Sequence, residues 1–539
     1  MRRCLGLIAL PCMASLVLAF PALAGGEREE GPQPHHHKAG HHRGHLGRRH
    51  HHHERKPSRA RIPRSAARYT VGAAAEDITP TDLHGVYLGG YGIGPVHPAG
   101  GVLRHIFTRV LAIRDHSGNQ VIIGAIDAQG YSIAYQQGPY GFADIEQDIQ
   151  KQLGIPASHI ILQSTHTHNG PDDIGVWGGV PDSYLAYVKA QTELVIRRAV
   201  ARERPAALRW ATADMKGFSG TFGSDTDSSH TGDNADYPPD NQLRALQALT
   251  PRGKVIATLV NYSTHPTVYG PLNKVSPDWP GATATFLEHR EIGIPAKVHY
   301  GYPGSVAVVT VGALGHTWPA GTPRGTDHAV DPSPKSDNGP ADDFGNAVAR
   351  MTMNALASQP GYVREARLSG TAQFVQVVNN NPVLLTAQNE PANETPLGGY
   401  KIMRANTPPY DYGDVYVAPV VALRVGDLPF FSVPGEPYPS IHSSLAGEVK
   451  APVAFVFGLA EDQLGYVEEV ADYNGALQCS TSDEWFFTIS PTFGSQVISL
   501  QNQNASTLGF SVTPNPSGDY GPGQTPPSTN CTAQQAGAS

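Results

Sequence analysis

Four cysteines in 539 residues are too few to staple a fold. Cys4 and Cys12 lie in the first apolar stretch, which leaves Cys479 and Cys531 as one pair for an oxidising compartment to join. Charge is sparse too. Charged residues make up 16% of the chain and the formal net charge is -8, which excludes a dedicated nucleic-acid binder. Past residue 24 no apolar run is long enough to cross a bilayer, so no transmembrane segment is expected in a mature chain. No internal repeat is evident, which excludes a solenoid.

Hydrophobic residues reach 40% and aromatics 8%, enough for a sizeable core. Gly 58 and Pro 46 point to a loop-rich fold. The first 24 residues read as a signal peptide. "MRR" is the basic start, "CLGLIALPCMASLVLAF" the apolar centre and "ALA" the cleavage box, so a secreted or periplasmic location is expected. An uncleaved anchor fits less well, because Pro11 interrupts the apolar centre. Residues 25–67 read as a disordered tail. Its "HHHKAGHHRGHLGRRHHHHERK" holds ten of the 24 histidines and no apolar periodicity. It is either a solvated cationic tail or a weak tract for zinc, copper or nickel, and its charge rises as pH falls through about 6.5.

The folded body is expected from about Tyr69. "IFTRVLAIRD" and "QVIIGAID" read as a hairpin around "DHSGN". Apolar spacing predicts helices over 140–154, 182–202 and 338–358. "HIILQSTHTH", "LRWATADM", "LRALQALT", "VIATLVNYSTH" and "PVAFVFGLA" read as strands, and "VALRVGDLPFFSVPGE" as a second hairpin. Helices alternate with strands, yet several strand pairs are hairpins. The expected class is therefore mixed α/β: one large domain with mixed or antiparallel sheets and flanking helices. After Ile498 the run of Gln, Asn, Pro, Gly and Ser reads as a polar tail, 499–539. "GGYGIG" (89–94) lacks the strand–loop–helix setting of a nucleotide loop.

The stretch "LQSTHTHNGP" raises the functional question. In an extended strand residues i and i+2 share a face, so His166 and His168 are expected side by side at a strand tip. A lone His-x-His is often incidental. His265 in "NYSTHPTVYG", Glu436 in "FFSVPGEPYPS" and Tyr466 in "GLAEDQLGYV" also fall at strand ends. Taken singly, each reads as a turn or rim residue. Two histidines, a carboxylate and a phenol together can close a zinc site with room for water.

These stretches resemble the neutral ceramidases, specifically their N-terminal catalytic domain. "VGAAAEDITP", "LGGYG", "GVLRHIFTRVLAI", "STHTHNGP", "NYSTHPT", "VPGE" and "GLAEDQLGYV" are similar to the family's motifs in the same order, over roughly 69–475. The resemblance implies a ceramidase-like catalytic domain over 68–498. It implies that His166, His265, Glu436 and Tyr466 bind Zn2+, with His168 beside the metal as an acid/base group. It also implies hydrolysis of the N-acyl bond of ceramide, with a small-molecule or lipid amide as partner and no nucleic acid.

Four departures bear on the substrate. "GHTWP" (315–319) puts Trp318 where the family has a serine and His316 where it has an acid. The family's Asn-Arg-Ser motif has no counterpart, and polar "GTFGSDTDSSHTGDNADYPPDN" fills that region. Asn169 replaces the signature serine, and Asp172 and Asp173 follow it, as turn caps or as groups for a cation or polar substrate. The family's C-terminal β-sandwich is expected to be missing. Two alternatives remain open: an esterase or amidase for polar substrates, and an exported metal-binding protein that keeps the fold.

Overall fold

The computed structural model describes residues 62–92, 94–222, 231–232, 238–288, 302–320, 339–358, 360–381, 403–405, 407–470 and 487–514. All of them fall within the compact unit Arg59–Ser539. The expected signal peptide, residues 25–61 of the expected His-rich tail, Cys479 and Cys531 lie outside the described residues.

The strand expected at Tyr69 begins there and runs to Asp77. It pairs antiparallel with Phe107–Arg114, which pairs in turn with Gln120–Ile126. The turn between these two closes on Asp115, whose Oδ1 accepts the backbone N–H groups of Ser117 and Asn119. Gly118 supplies the positive φ of 92° that this turn requires.

Nine strands form the largest sheet. From one end the order is Val306–Val311, Val255–Tyr262, Gln242–Leu249, Arg204–Asp214, Tyr69–Asp77, Phe107–Arg114, Gln120–Ile126 and Ile160–Ser164. The short Gly361–Tyr362 joins Arg204–Asp214. The first and last pairs are parallel and the pairs between them antiparallel, so the sheet is mixed, as expected. A second sheet holds Leu368–Val378, Val415–Val425, Leu428–Ser432 and Phe455–Phe457, with Asp411–Tyr412 alongside.

The two sheets share one apolar core. Val71, Leu111, Ile123, Leu208 and Leu246 from the first meet Leu423, Phe430, Phe455 and Phe457 from the second. Helices cover the outer faces. Phe142–Leu153 and Asp182–Ala201 pack on one half of the large sheet, and Asp278–Glu288 and Pro340–Ser358 on the other. Asp182–Ala201 buries Leu185, Val188, Thr192, Val195, Ile196 and Ala199, the stripe its spacing predicts. It presses close to the sheet: a Cβ at Gly72 would lie 2.0 Å from the Ala199 carbonyl oxygen.

The polar run after Ile498 departs from the expected tail. It is helical through Thr507, in the element Phe493–Thr507, which with Pro439–Glu448 covers the second sheet. Its amides serve the buried sheet backbone. Gln501 Nε2 donates to Ser432 O at 2.6 Å and to Val421 O at 3.1 Å, and Asn504 Nδ2 donates to Val420 O at 3.0 Å. Polar composition therefore hid a packed helix. Helices Asp278–Glu288 and Pro439–Glu448 are likewise additions to the sequence reading.

The large sheet curls. Val306–Val311, at one end, lies against Phe107–Arg114 and Gln120–Ile126 near the other. Gln163 Nε2 bridges across, donating to Gly458 O at 3.2 Å and to Val311 O at 3.5 Å. The curl brings together loops that the strand order alone would keep apart.

Candidate metal centre

The His166–His168 pair is not built as an extended strand. Regular pairing stops at Ser164. Thr165 N still donates to Ile126 O, but His166 turns into the left-handed region at φ 62°. The turn then closes from Gly170 N to Thr167 O. The rings meet all the same, with His168 Nε2 3.0 Å from His166 Nε2. The cause is loop curvature rather than strand alternation, because the neighbouring strand Gln120–Ile126 ends opposite Ser164.

His265 follows the strand Val255–Tyr262. Its backbone N–H donates to Thr317 O at 3.0 Å, and its Nδ1 lies 2.9 Å from the same oxygen. His166 Nδ1 is 2.7 Å from Gln129 O. A carbonyl only accepts, so both Nδ1 atoms carry the proton and both Nε2 atoms turn inward as bare acceptors.

Glu436 completes the cluster. Its Oε2 lies 3.2 Å from His265 Nε2 and 3.4 Å from His166 Nε2, and Oε1 accepts Gln463 Nε2 at 2.9 Å. It opens a two-residue strand, Glu436–Pro437, paired in parallel with Tyr466–Val467. Tyr466 is thus its register partner, and both are buried.

Electrostatics suit a cation. Burial pushes the His265 ring down, against the pull of Glu436. Burial by itself would raise Glu436, but the facing His166 and His265 outweigh it and hold the carboxyl well below its usual range. Ligation needs neutral imidazoles and an ionised carboxylate, and the shifts of His265 and Glu436 both run that way. The spacing fits as well. Ligands about 2.0 Å from a tetrahedral zinc sit about 3.3 Å from one another. The ligand nitrogens of His166, His168 and His265 lie within 4.8 Å of one another, so this buried trio can hold a metal ion.

Aromatic rings wall the cluster. Trp318 stacks on His265 with centroids 4.0 Å apart and also meets His168 edge-on at 6.3 Å. Tyr91 meets His168 at 5.1 Å. The glycines of "GGYG" shape this wall: Gly90, at φ 101°, lies where a Cβ would come 2.2 Å from His168 Cγ. His316, at φ 59°, stacks on Tyr438 at 5.5 Å.

Asn169 ties two site loops together. Its Nδ2 donates to Gly270 O at 2.9 Å, and its Oδ1 accepts Leu272 N at 2.8 Å. Asp172 caps a turn through the N–H groups of Gly175, Trp177 and Gly179. Asp173 is fully buried, and burial followed by the Asp172 charge pushes its carboxyl well up. Gln129, Thr317 and Gln463 orient the cluster without having been singled out in the sequence, because each acts through a contact distant along the chain.

No family model matches the sequence, and no curated protein matches it. Solved structures do. One is the neutral ceramidase from Pseudomonas aeruginosa, with TM-score 0.61 and 17% identity over 84% of this chain and 77% of that one. Another is a ceramidase complexed with C2, with TM-score 0.61 and 17% identity over 86% of this chain and 78% of the other. The chain has the neutral ceramidase fold. The fold expected from "STHTHNGP" and its companion motifs is therefore present, and the ceramidase-like body carries His166, His168, His265 and Glu436 into one cluster.

Proposed function

We propose that this chain is an exported, zinc-dependent hydrolase of ceramidase type that cleaves the N-acyl amide bond of a lipid such as ceramide. One observation carries the reading: three imidazoles and a carboxylate from separate loops meet in one buried cluster on a ceramidase-like fold. His166, His265 and Glu436 are the proposed ligands, with Tyr466 as the fourth.

A zinc ion in this donor set supplies a water of pKa about 7 and an electrophile for the amide carbonyl. The chain's own residues do the rest. Gln129 O and Thr317 O hold the His166 and His265 rings with Nε2 inward. Glu436 contributes the balancing negative charge, and Gln463 holds its second oxygen. His168 is the proposed acid/base: its Nε2 holds a proton and passes it to the leaving amine. His168 is also the proposed donor to the developing oxyanion. Trp318 leaves no serine nucleophile at its position, and this route needs none.

The test is elemental analysis of a chain lacking 25–67, followed by a substrate screen. The expected result is about one tightly held zinc per chain and cleavage of long-chain N-acyl sphingosine ahead of short amides and esters. A preference for the short substrates would favour the polar esterase or amidase. Loss of all metal with the tail would favour a metal-binding protein.

A further inference from the structure

Trp318 lies on the strand Thr317–Pro319, which pairs antiparallel with Ser219–Phe222. Its register partner is Gly220, which has no side chain to compete with the indole for space. The indole is buried and lies nearly parallel to His265, at 19° between the rings and 4.0 Å between centroids. Its neighbour Thr317 gives one carbonyl oxygen to both the backbone N–H and the Nδ1 of His265. Two consecutive residues therefore grip one imidazole in complementary ways. The Thr317 carbonyl sets the direction of the ring within its plane, and the Trp318 indole sets the tilt of the plane itself. A hydrogen bond at Nδ1 alone leaves that tilt open, and a serine at 318 could not close it.

We propose that Trp318 is a positioning residue for the metal centre: it fixes the plane of His265 so that Nε2 points at the cation. The proposal rests on the metal reading above. Oriented imidazole ligands gain affinity from the groups that hold them, and losing such a group costs about 10- to 100-fold in metal binding. Stacking needs a flat ring, so Phe can replace Trp318 and Leu cannot.

The test uses the full chain, stripped of metal, as wild type, Trp318→Phe and Trp318→Leu. Zinc affinity is measured by competition with a chelator. Trp318→Leu is expected to bind at least about 10-fold more weakly, and Trp318→Phe within about threefold of wild type. A second readout is quenching of tryptophan fluorescence by Co2+, a paramagnetic ion. Wild type and Trp318→Phe carry the same 25–67 stretch, so ions held there contribute alike to both. Wild type should show a strongly quenched component that Trp318→Phe lacks. Equal affinity in Trp318→Leu and wild type would overturn the proposal. So would a Trp318→Phe loss as large as that of Trp318→Leu, or quenching unchanged in Trp318→Phe, a readout that stands even if the Leu variant fails to fold. A wild type with no tightly held ion would sink the metal reading itself, a result distinct from a loaded wild type and an equally loaded Trp318→Leu.

Discussion

Glu436 and Tyr466 stand opposite each other, in register, in a two-stranded parallel ribbon. Register partners project their side chains to the same face of a ribbon, so the carboxylate and the phenol leave the backbone together. Tyr466→Phe keeps the ring and the ribbon and deletes only the hydroxyl. Because it removes a proposed ligand, it should weaken zinc binding and lower kcat by roughly 100-fold. Steady-state kinetics beside a zinc titration would check this, and an unaltered kcat would remove Tyr466 from the site.

The three histidines should separate by role. His166→Ala and His265→Ala should lose zinc and activity together, because each removes an inward Nε2 held by a backbone carbonyl. His168→Ala should retain zinc and turn over roughly 100-fold more slowly. Metal content and kcat measured on the same preparations decide this. If His168→Ala lost zinc and His166→Ala kept it, the two roles would be exchanged.

Gly90→Ala tests the seat of His168 from outside the metal set. The added Cβ would come 2.2 Å from His168 Cγ at a backbone φ of +101°, a conformation that L side chains rarely adopt. The ring must move. Activity should fall at least about 10-fold with zinc content intact, and an unaffected kcat would show that His168 needs no fixed position.

Glu461 introduces a pH dependence away from the cluster. Burial pushes its carboxyl up to about 7, while the hydrogen bond with Glu146 and that from Leu162 N oppose the rise. In the unfolded chain a glutamate releases its proton near about 4.3. Between these values the folded state holds more protons than the unfolded one, so stability falls as pH rises through this window. Glu461→Gln should therefore gain Tm relative to wild type by more at pH 8 than at pH 5. Paired melts at the two pH values would test it, and a pH-independent difference would contradict the assignment.

Asp240 has the opposite sign. Burial would raise its carboxyl, but His442 and Arg244 outweigh this and hold it well below the usual carboxylate range. Its contribution is complete above about pH 4 and is lost as pH falls below that. Arg244 is fully buried and pairs with Asp240 at 2.8 and 3.0 Å. Asp240→Ala removes the carboxylate and leaves that guanidinium with Gln242 O and His442 Nδ1, and should cost about 3–5 kcal/mol, measured by chemical denaturation at neutral pH. A loss below about 1 kcal/mol would mean that these two partners suffice for Arg244.

Much of this molecule was written in short-range pattern. The stripe of Leu185, Val188, Val195 and Ile196 specifies its helix, and the Asp115–Gly118 turn specifies its hairpin, because spacing and turn chemistry act between near neighbours. The polar groups at predicted strand ends singled out His166, His265, Glu436 and Tyr466. Tertiary structure decided what pattern cannot encode. The curl of the nine-stranded sheet brings the loop of His166 to that of His265. The left-handed turn at His166, rather than strand alternation, aims its ring. Gln501 and Asn504 proved to be internal donors to a buried sheet, not marks of a tail. The sheet curl and the amide contacts join atoms remote along the chain, and local composition carries no record of them.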